Sequence, residues 1–227
     1  MLMRAASRFI SRRKIVMRVE GLEHVPRSGS VLIAARHFHF FYDGYVLLRA
    51  IDRPLHTIVA LDWMQSRLLR LLVECACALV DWPIVLRSEQ IRQRAGEQQW
   101  AYSSTEARQY LRQVAKSTVR LLRSERLLVI FPEGYPNIDP HLTPKTDLDA
   151  FLPFKPGFIK LAEMAERDGQ TQVAIVPAGF VYRKDGPRWH ATARFGPPLF
   201  RRDFASHITL LHTVEESVRI LSQEDCT

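Results

Sequence analysis

Apolar residues along this chain come in short unbroken runs, separated by longer stretches in which they recur every three or four positions. Val31-Leu32-Ile33-Ala34-Ala35 is the clearest run, and residues 82–86, 127–131 and 173–176 repeat the pattern, the last closed by Pro177. Such runs, bounded by turn residues, predict buried strands. Residues 15–19, 56–61 and 189–195 predict further strands. Between them, Ala107, Tyr110, Leu111, Val114, Thr118, Leu121 and Leu122 share one face of a helix, opened by the capping-box spacing of Ser103-Ser104-Thr105-Glu106. Helices are also predicted over 43–51, over 63–79 with Asp62 as cap, over 158–166 and over 206–221. Residues 88–104 are polar and predict an exposed insertion, and the proline-rich residues 135–153 a loop. Strands alternating with helices imply an α/β fold: a single domain with a central mixed or largely parallel sheet flanked by helices.

The helix over 63–79 carries more apolar surface than one core-facing stripe needs. It is either buried on most sides or turned toward lipid or an acyl chain. Residues 1–14 interleave Leu2, Met3, Phe9 and Ile10 with Arg4, Arg8, Arg12, Arg13 and Lys14. That pattern is a short basic amphipathic helix suited to a membrane surface, or else a frayed terminus. The expected division is an N-terminal amphipathic segment over 1–18 and the α/β domain over 19–227. No run of about 18 apolar residues marks a membrane-crossing helix. The composition of the 227 residues, 47% apolar and 25% charged, suits a packed core. A net charge of +8 favours anionic partners: nucleic acid, anionic lipid or a phosphorylated substrate. The basic residues are scattered and form no basic-aromatic module, so no nucleic acid is expected. Cys75 and Cys77 are spaced too closely for a disulfide or a zinc knuckle and read as small core hydrophobes.

Candidate chemistry gathers where the predicted strands end. His37, His39 and Asp43 follow the strand at 31–35 within a few residues. A histidine held by a carboxylate at a strand end is a poised general base for a hydroxyl. Asp43 could equally be a helix cap. His-x-His could begin a metal site, but hydrolases using that pairing add an Asp and a His where this chain has Phe40, Phe41 and Tyr42, so no metal is expected. Arg87 ends a second strand, and Phe131-Pro132-Glu133-Gly134 a third. In open α/β sheets ligands sit beyond such strand ends.

Taken in order, these fragments resemble the glycerolipid acyltransferases that acylate lysophosphatidic acid and related lysolipids. The resemblance runs from about Val19 to Leu199. Gly21-Leu22-Glu23-His24-Val25-Pro26 resembles the family's opening segment, residues 37–43 its catalytic block, and residues 83–87 its second block. Phe131-Pro132-Glu133-Gly134 matches the third block. Phe154-Lys155-Pro156-Gly157, Val176-Pro177-Ala178-Gly179 and Phe195-Gly196-Pro197-Pro198-Leu199 are similar to the segments that follow. The family block places four residues between His and Asp. Here five separate His37 from Asp43 and three separate His39 from it. His37 is favoured because it directly follows the strand, with His39 as the alternative base. The family's third block continues with Thr and often Arg, whereas here Tyr135-Pro136-Asn137 follows, and residues 56–61 lack a Lys often found there. Both residues associated with the acceptor's phosphate are thus missing, which widens the expected acceptors to other lysophospholipids, glycolipids or lipid alcohols.

The resemblance implies acyl transfer from acyl-CoA or acyl carrier protein to a lipid hydroxyl, with no acyl-enzyme and no cofactor beyond the co-substrate. His37 and Asp43 are the implied catalytic pair, and Arg36, Arg87, Glu133, Gly134 and Lys155 the candidate substrate-binding residues, with Arg36 and Arg87 as replacement cations. The implied partners are a lipid acceptor, an acyl thioester, an anionic membrane surface and acyl carrier protein. The implied location is peripheral, on the cytoplasmic face of the membrane. The irregular His–Asp interval leaves one alternative open: a non-catalytic lipid-binding protein that retains the fold.

Overall fold

A computed structural model describes residues 15–64, 66–87, 104–139 and 143–224. The basic segment 1–14, most of the polar stretch 88–104 and Cys226 lie outside the described residues. The elements run β1 (Ile15–Glu20), a 3-10 turn (Leu22–His24), β2 (Ser30–Ala35), α1 (Tyr42–Ala50), β3 (Leu55–Thr57), β4 (Val59–Ala60), α2 (Arg67–Leu79) and β5 (Ile84–Val85). They continue with α3 (Ser104–Arg123), β6 (Leu127–Ile130), α4 (Gly157–Glu166), β7 (Val173–Asp185), β8 (Arg188–Phe195), a second 3-10 turn (Arg201–Asp203) and α5 (His207–Leu221).

Six strands form one sheet in the order β1-β8-β7-β2-β6-β3, and β4 pairs with β5 separately. Within the larger sheet every neighbouring pair is parallel except β7 with β8, which form a hairpin. This is the largely parallel α/β sheet expected from the alternation of strands and helices. β2 occupies the middle because all six of its residues are buried. Val31, Ile33 and Ala35 pack toward Val46 and Leu47 of α1. Leu32 and Ala34 face the opposite layer, built from Leu122 of α3, Phe158 and Ile159 of α4, and Val214 of α5. Burial of Val31, Leu32 and Ile33 stabilises the fold by about 1.5–3 kcal/mol each. A strand covered on both faces reads as a continuous apolar run rather than an alternating one.

Four expectations change. The strand at 173–176 does not close at Pro177 but continues to Asp185. Pro177 costs no ladder bond there. Ala178 takes the Arg36 amide on the β2 side, so the Pro177 nitrogen faces the other edge, where β8 stops at Phe195. The strand expected over 56–61 is divided into β3 and β4, which join different sheets. The helix expected from residue 63 begins at Arg67, capped by the Ser66 hydroxyl and not by Asp62. On that helix only Cys77 is buried, and Cys75 is exposed rather than part of the core. Leu68, Leu71, Leu72 and Leu79 stand 57–87% exposed along one side. Among the described residues no helix is long and apolar enough to cross a membrane.

Gly179 shows how tightly α5 is packed on β7, inside the sheet. A methyl group at this position would come within 2.5 Å of the Leu221 carbonyl oxygen and 2.6 Å of Leu221 Cβ, at the end of α5. Backbone cannot yield as a side-chain tip can. Gly179→Ala is expected to destabilise the protein by about 1–3 kcal/mol, measured as a lower urea midpoint at unchanged m-value.

Candidate active site

β2 ends at Ala35, opposite Ala178 in mid-β7, and the chain then turns beyond the carboxyl end of β6 while β7 runs on past it to Asp185. The His37 amide donates to Glu133 Oε1 at 2.9 Å. Its carbonyl accepts from the Asn137 amide at 3.2 Å and from Lys145 Nζ at 2.9 Å. Its ring stacks on Phe131, with centroids 4.1 Å apart. From the first turn of α1, Asp43 reaches back so that its Oδ2 lies 2.9 Å from His37 Nδ1. The same oxygen accepts from the amides of Phe38 at 2.8 Å and His39 at 3.0 Å. Oδ1 accepts from the Tyr182 hydroxyl at 2.8 Å. Asp43 is therefore not a helix cap. It is a fully buried carboxylate that meets four donors, three of them from the residues just before its own helix.

This arrangement sets the imidazole. A carboxylate already receiving other donors can only accept, so His37 Nδ1 carries the hydrogen, and in the neutral ring the lone pair is on Nε2. The His37 side chain retains 17% exposure while that of Asp43 has none. A ring with one nitrogen fixed to a buried carboxylate and the other left for a ligand is the geometry of an oriented general base. Tyr182 reinforces it. Burial, together with the Asp43 charge, pushes the phenol well above its ordinary pKa and keeps it a donor.

His39 stands differently. Its Nδ1 accepts from the amides of Phe41 at 3.2 Å and Tyr42 at 3.3 Å, so it caps the start of α1. Its ring packs on Phe40 and Tyr42. Of the two histidines, His37 is the one whose ring faces Asp43.

The other predicted site residues divide into interior and rim. Glu133 is fully buried. Besides the His37 amide it accepts from the Leu152 amide at 3.0 Å and pairs with Lys145 at 2.6 Å. Arg36, expected to contact substrate, is buried, and its guanidinium donates to the carbonyls of Leu148 and Ser222. Glu133 and Arg36 therefore support the site from within. Arg87 grips Asp62 through Nε and NH2 at 2.9 and 2.8 Å, and its NH1 donates to the Gly134 carbonyl. Its guanidinium lies over the Tyr135 ring at 4.2 Å. Gly134 has φ +79°, a conformation that favours glycine, and its amide donates to the Phe131 carbonyl at 3.0 Å, closing the turn over 131–134. Lys155 is exposed with its ammonium 5.5 Å from the same Tyr135 ring. Sequence reading missed Tyr182, Lys145 and Asn137. Tyr182 was within reach, because Val176, Ala178, Phe180 and Tyr182 follow the two-residue period of one face of β7. Lys145 lies in a proline-rich loop with no periodic signal.

Burial holds the His39 pKa below its ordinary value of 6.5, partly opposed by the Asp43 charge. A depressed folded-state pKa means that the unfolded chain takes up the proton first. The stability from neutral His39 is therefore present above pH 6.5 and lost as pH falls below it. His39→Asn keeps an acceptor for Phe41 and Tyr42 but removes the titration. Melting temperatures between pH 7.5 and 5 are expected to fall less steeply in this variant than in the wild type.

Comparison with known proteins bears on the fold and the family of this chain. No curated protein matches the sequence at a significant level. A solved structure, the 1-acyl-sn-glycerophosphate (LPA) acyltransferase PlsC from Thermotoga maritima, is similar in fold, with a TM-score of 0.53 at 16% identity over 90% of this chain and 69% of that one. The family model described as Acyltransferase matches residues 16–181, the span from β1 to the strand that carries Tyr182. The chain belongs to the acyltransferase family.

Proposed function

We propose that this acyltransferase moves a fatty acyl group from an acyl thioester, acyl-CoA or acyl carrier protein, to the hydroxyl of a lysophospholipid or related lipid, with His37 as the base. The observation that carries this reading is the His37 Nδ1–Asp43 contact of 2.9 Å, with the carboxylate fully buried. The acceptor oxygen attacks the thioester carbonyl while its proton passes to His37 Nε2. Asp43 stabilises the imidazolium that forms. As the tetrahedral intermediate collapses, the C–S bond breaks and the proton on Nε2 goes to the departing thiolate sulfur. Products are an ester and a free thiol, with no acyl-enzyme between. Burial pushes the Cys77 thiol up, which keeps it protonated and a poor nucleophile. At the rim, Lys155 beside Gly134 is where an acidic headgroup would meet positive charge.

The lipid substrates would be met at a membrane surface through α2. Leu68, Leu71, Leu72, Cys75 and Leu79 fall at helical spacing along one exposed stripe. A stripe dominated by leucines suits acyl chains, and the net charge of +8 suits anionic headgroups. The reading is of a peripheral protein on the cytoplasmic face.

Two experiments test these statements. Thiol release from acyl-CoA with a panel of lysolipids is expected to fall about 10²–10⁴-fold in His37→Ala, with His39→Asn retaining most activity. Equal activity in His37→Ala and wild type sinks the assignment. In flotation with anionic liposomes, wild type is expected to float and Leu72→Glu/Leu79→Glu to stay at the bottom at unchanged melting temperature. If the double variant floats as well, α2 is not the contact.

A further inference from the structure

We propose that Lys145 is a positioning residue for His37, acting from 108 residues away in sequence through the peptide groups on either side of the histidine. The proposal rests on reading His37 as the base. The Lys145 side chain has no exposure. Its ammonium meets three acceptors: Glu133 Oε2 at 2.6 Å, His37 O at 2.9 Å and Asn137 Oδ1 at 2.9 Å. An ammonium has three hydrogens, so every donor has a partner. Glu133 gives its other oxygen to the His37 amide at 2.9 Å. One buried charge pair thus holds both backbone polar groups of the histidine whose ring meets Asp43.

The same pair fixes the chain around the site. Glu133 Oε2 also accepts from the Leu152 amide, at the far end of the loop that carries Lys145. Asn137 accepts from Lys145 and donates to the carbonyls of Asp147, Leu148 and Ala150 at 3.1, 3.1 and 2.8 Å. The loop after β6 and the histidine after β2 therefore share one set of hydrogen bonds. A buried lysine is costly, and an apolar residue would fill the space more cheaply. What an apolar residue cannot supply is a donor to three acceptors on separate segments. With Lys145 in place the two peptide planes flanking His37 are held, and the ring is aimed at Asp43. Without it, the His37 carbonyl keeps only the longer 3.2 Å bond from Asn137.

The test replaces Lys145 with methionine, similar in length and without charge. Because this leaves Glu133 buried without its cation, the charge-neutral double variant Lys145→Met/Glu133→Gln is made beside it. Each is checked for folding by circular dichroism. Proton NMR then reads the downfield resonance of the His37 ring Nδ1–H held by Asp43, identified by its loss in His37→Ala. In folded variants the expected result is a kcat lower by about 10- to 100-fold, an acceptor KM within about twofold of wild type, and a weakened or shifted resonance. A folded variant with wild-type kcat and an unchanged resonance overturns the proposal. So does a loss of activity that only follows the loss of folded protein while the resonance persists. If the wild-type chain itself releases no thiol, the acyl-transfer reading fails, and the resonance in the variants still decides whether Lys145 positions His37.

Discussion

A carboxylate taken fully out of water has to be met by donors, and Asp43 meets four. Three come from the turn it closes, at His37, Phe38 and His39. The fourth, Tyr182, lies 139 residues further along the chain. The local donors require the segment between β2 and α1 to fold back tightly. The distant one requires β7 to lie beside β2 in one register, with Ala35 opposite Ala178. A slip of one residue would turn Tyr182 to the other face of the sheet and leave Oδ1 without its partner. The central pairing of the fold and the orientation of the histidine are thus one constraint seen at two scales.

Around this point the interior carries more charge than a core of this size needs. Glu133 and Lys145 have no exposed side-chain surface, and Arg36 is buried close by. Burial pulls the Lys145 pKa down, and Glu133 opposes that shift. Such pairs contribute little net stability, since desolvation offsets most of the attraction. Their effect here is directional. Each buried charged group binds backbone of the turns after β2 and β6 or of the loop 143–152, and so fixes segments that have no regular hydrogen-bonding ladder of their own.

The parts of the fold that were legible in the sequence are those governed by extended burial, on both faces of a strand or along one face of a helix. β2, β6 and α3 carry runs or periods that nothing else produces. The ends of elements were less legible, because they depend on single contacts. Pro177 reads as a stop, yet its nitrogen falls on the one side where the neighbouring strand has already ended. Asp62 reads as a cap, yet Arg87 recruits it. At the site, His37 and Asp43 could be picked out by residue type and position after a strand. Which histidine faces Asp43 depended on how a six-residue turn closes, and spacing alone does not decide that. Lys145, Asn137 and the interior placement of Arg36 depend on where an irregular loop lies, which composition does not encode.

The most direct measurement of the central claim is thiol release from a long-chain acyl thioester by the wild-type chain, with and without a lipid hydroxyl. Direct attack through an oriented His37 predicts release that requires the acceptor, matches ester formed mole for mole, and shows no burst of thiol before the acceptor is added. Binding of the lipid with no thiol released for any acceptor contradicts the account and leaves the fold as a lipid-binding scaffold. A stoichiometric burst without acceptor contradicts it in the other direction, by showing an acyl-enzyme.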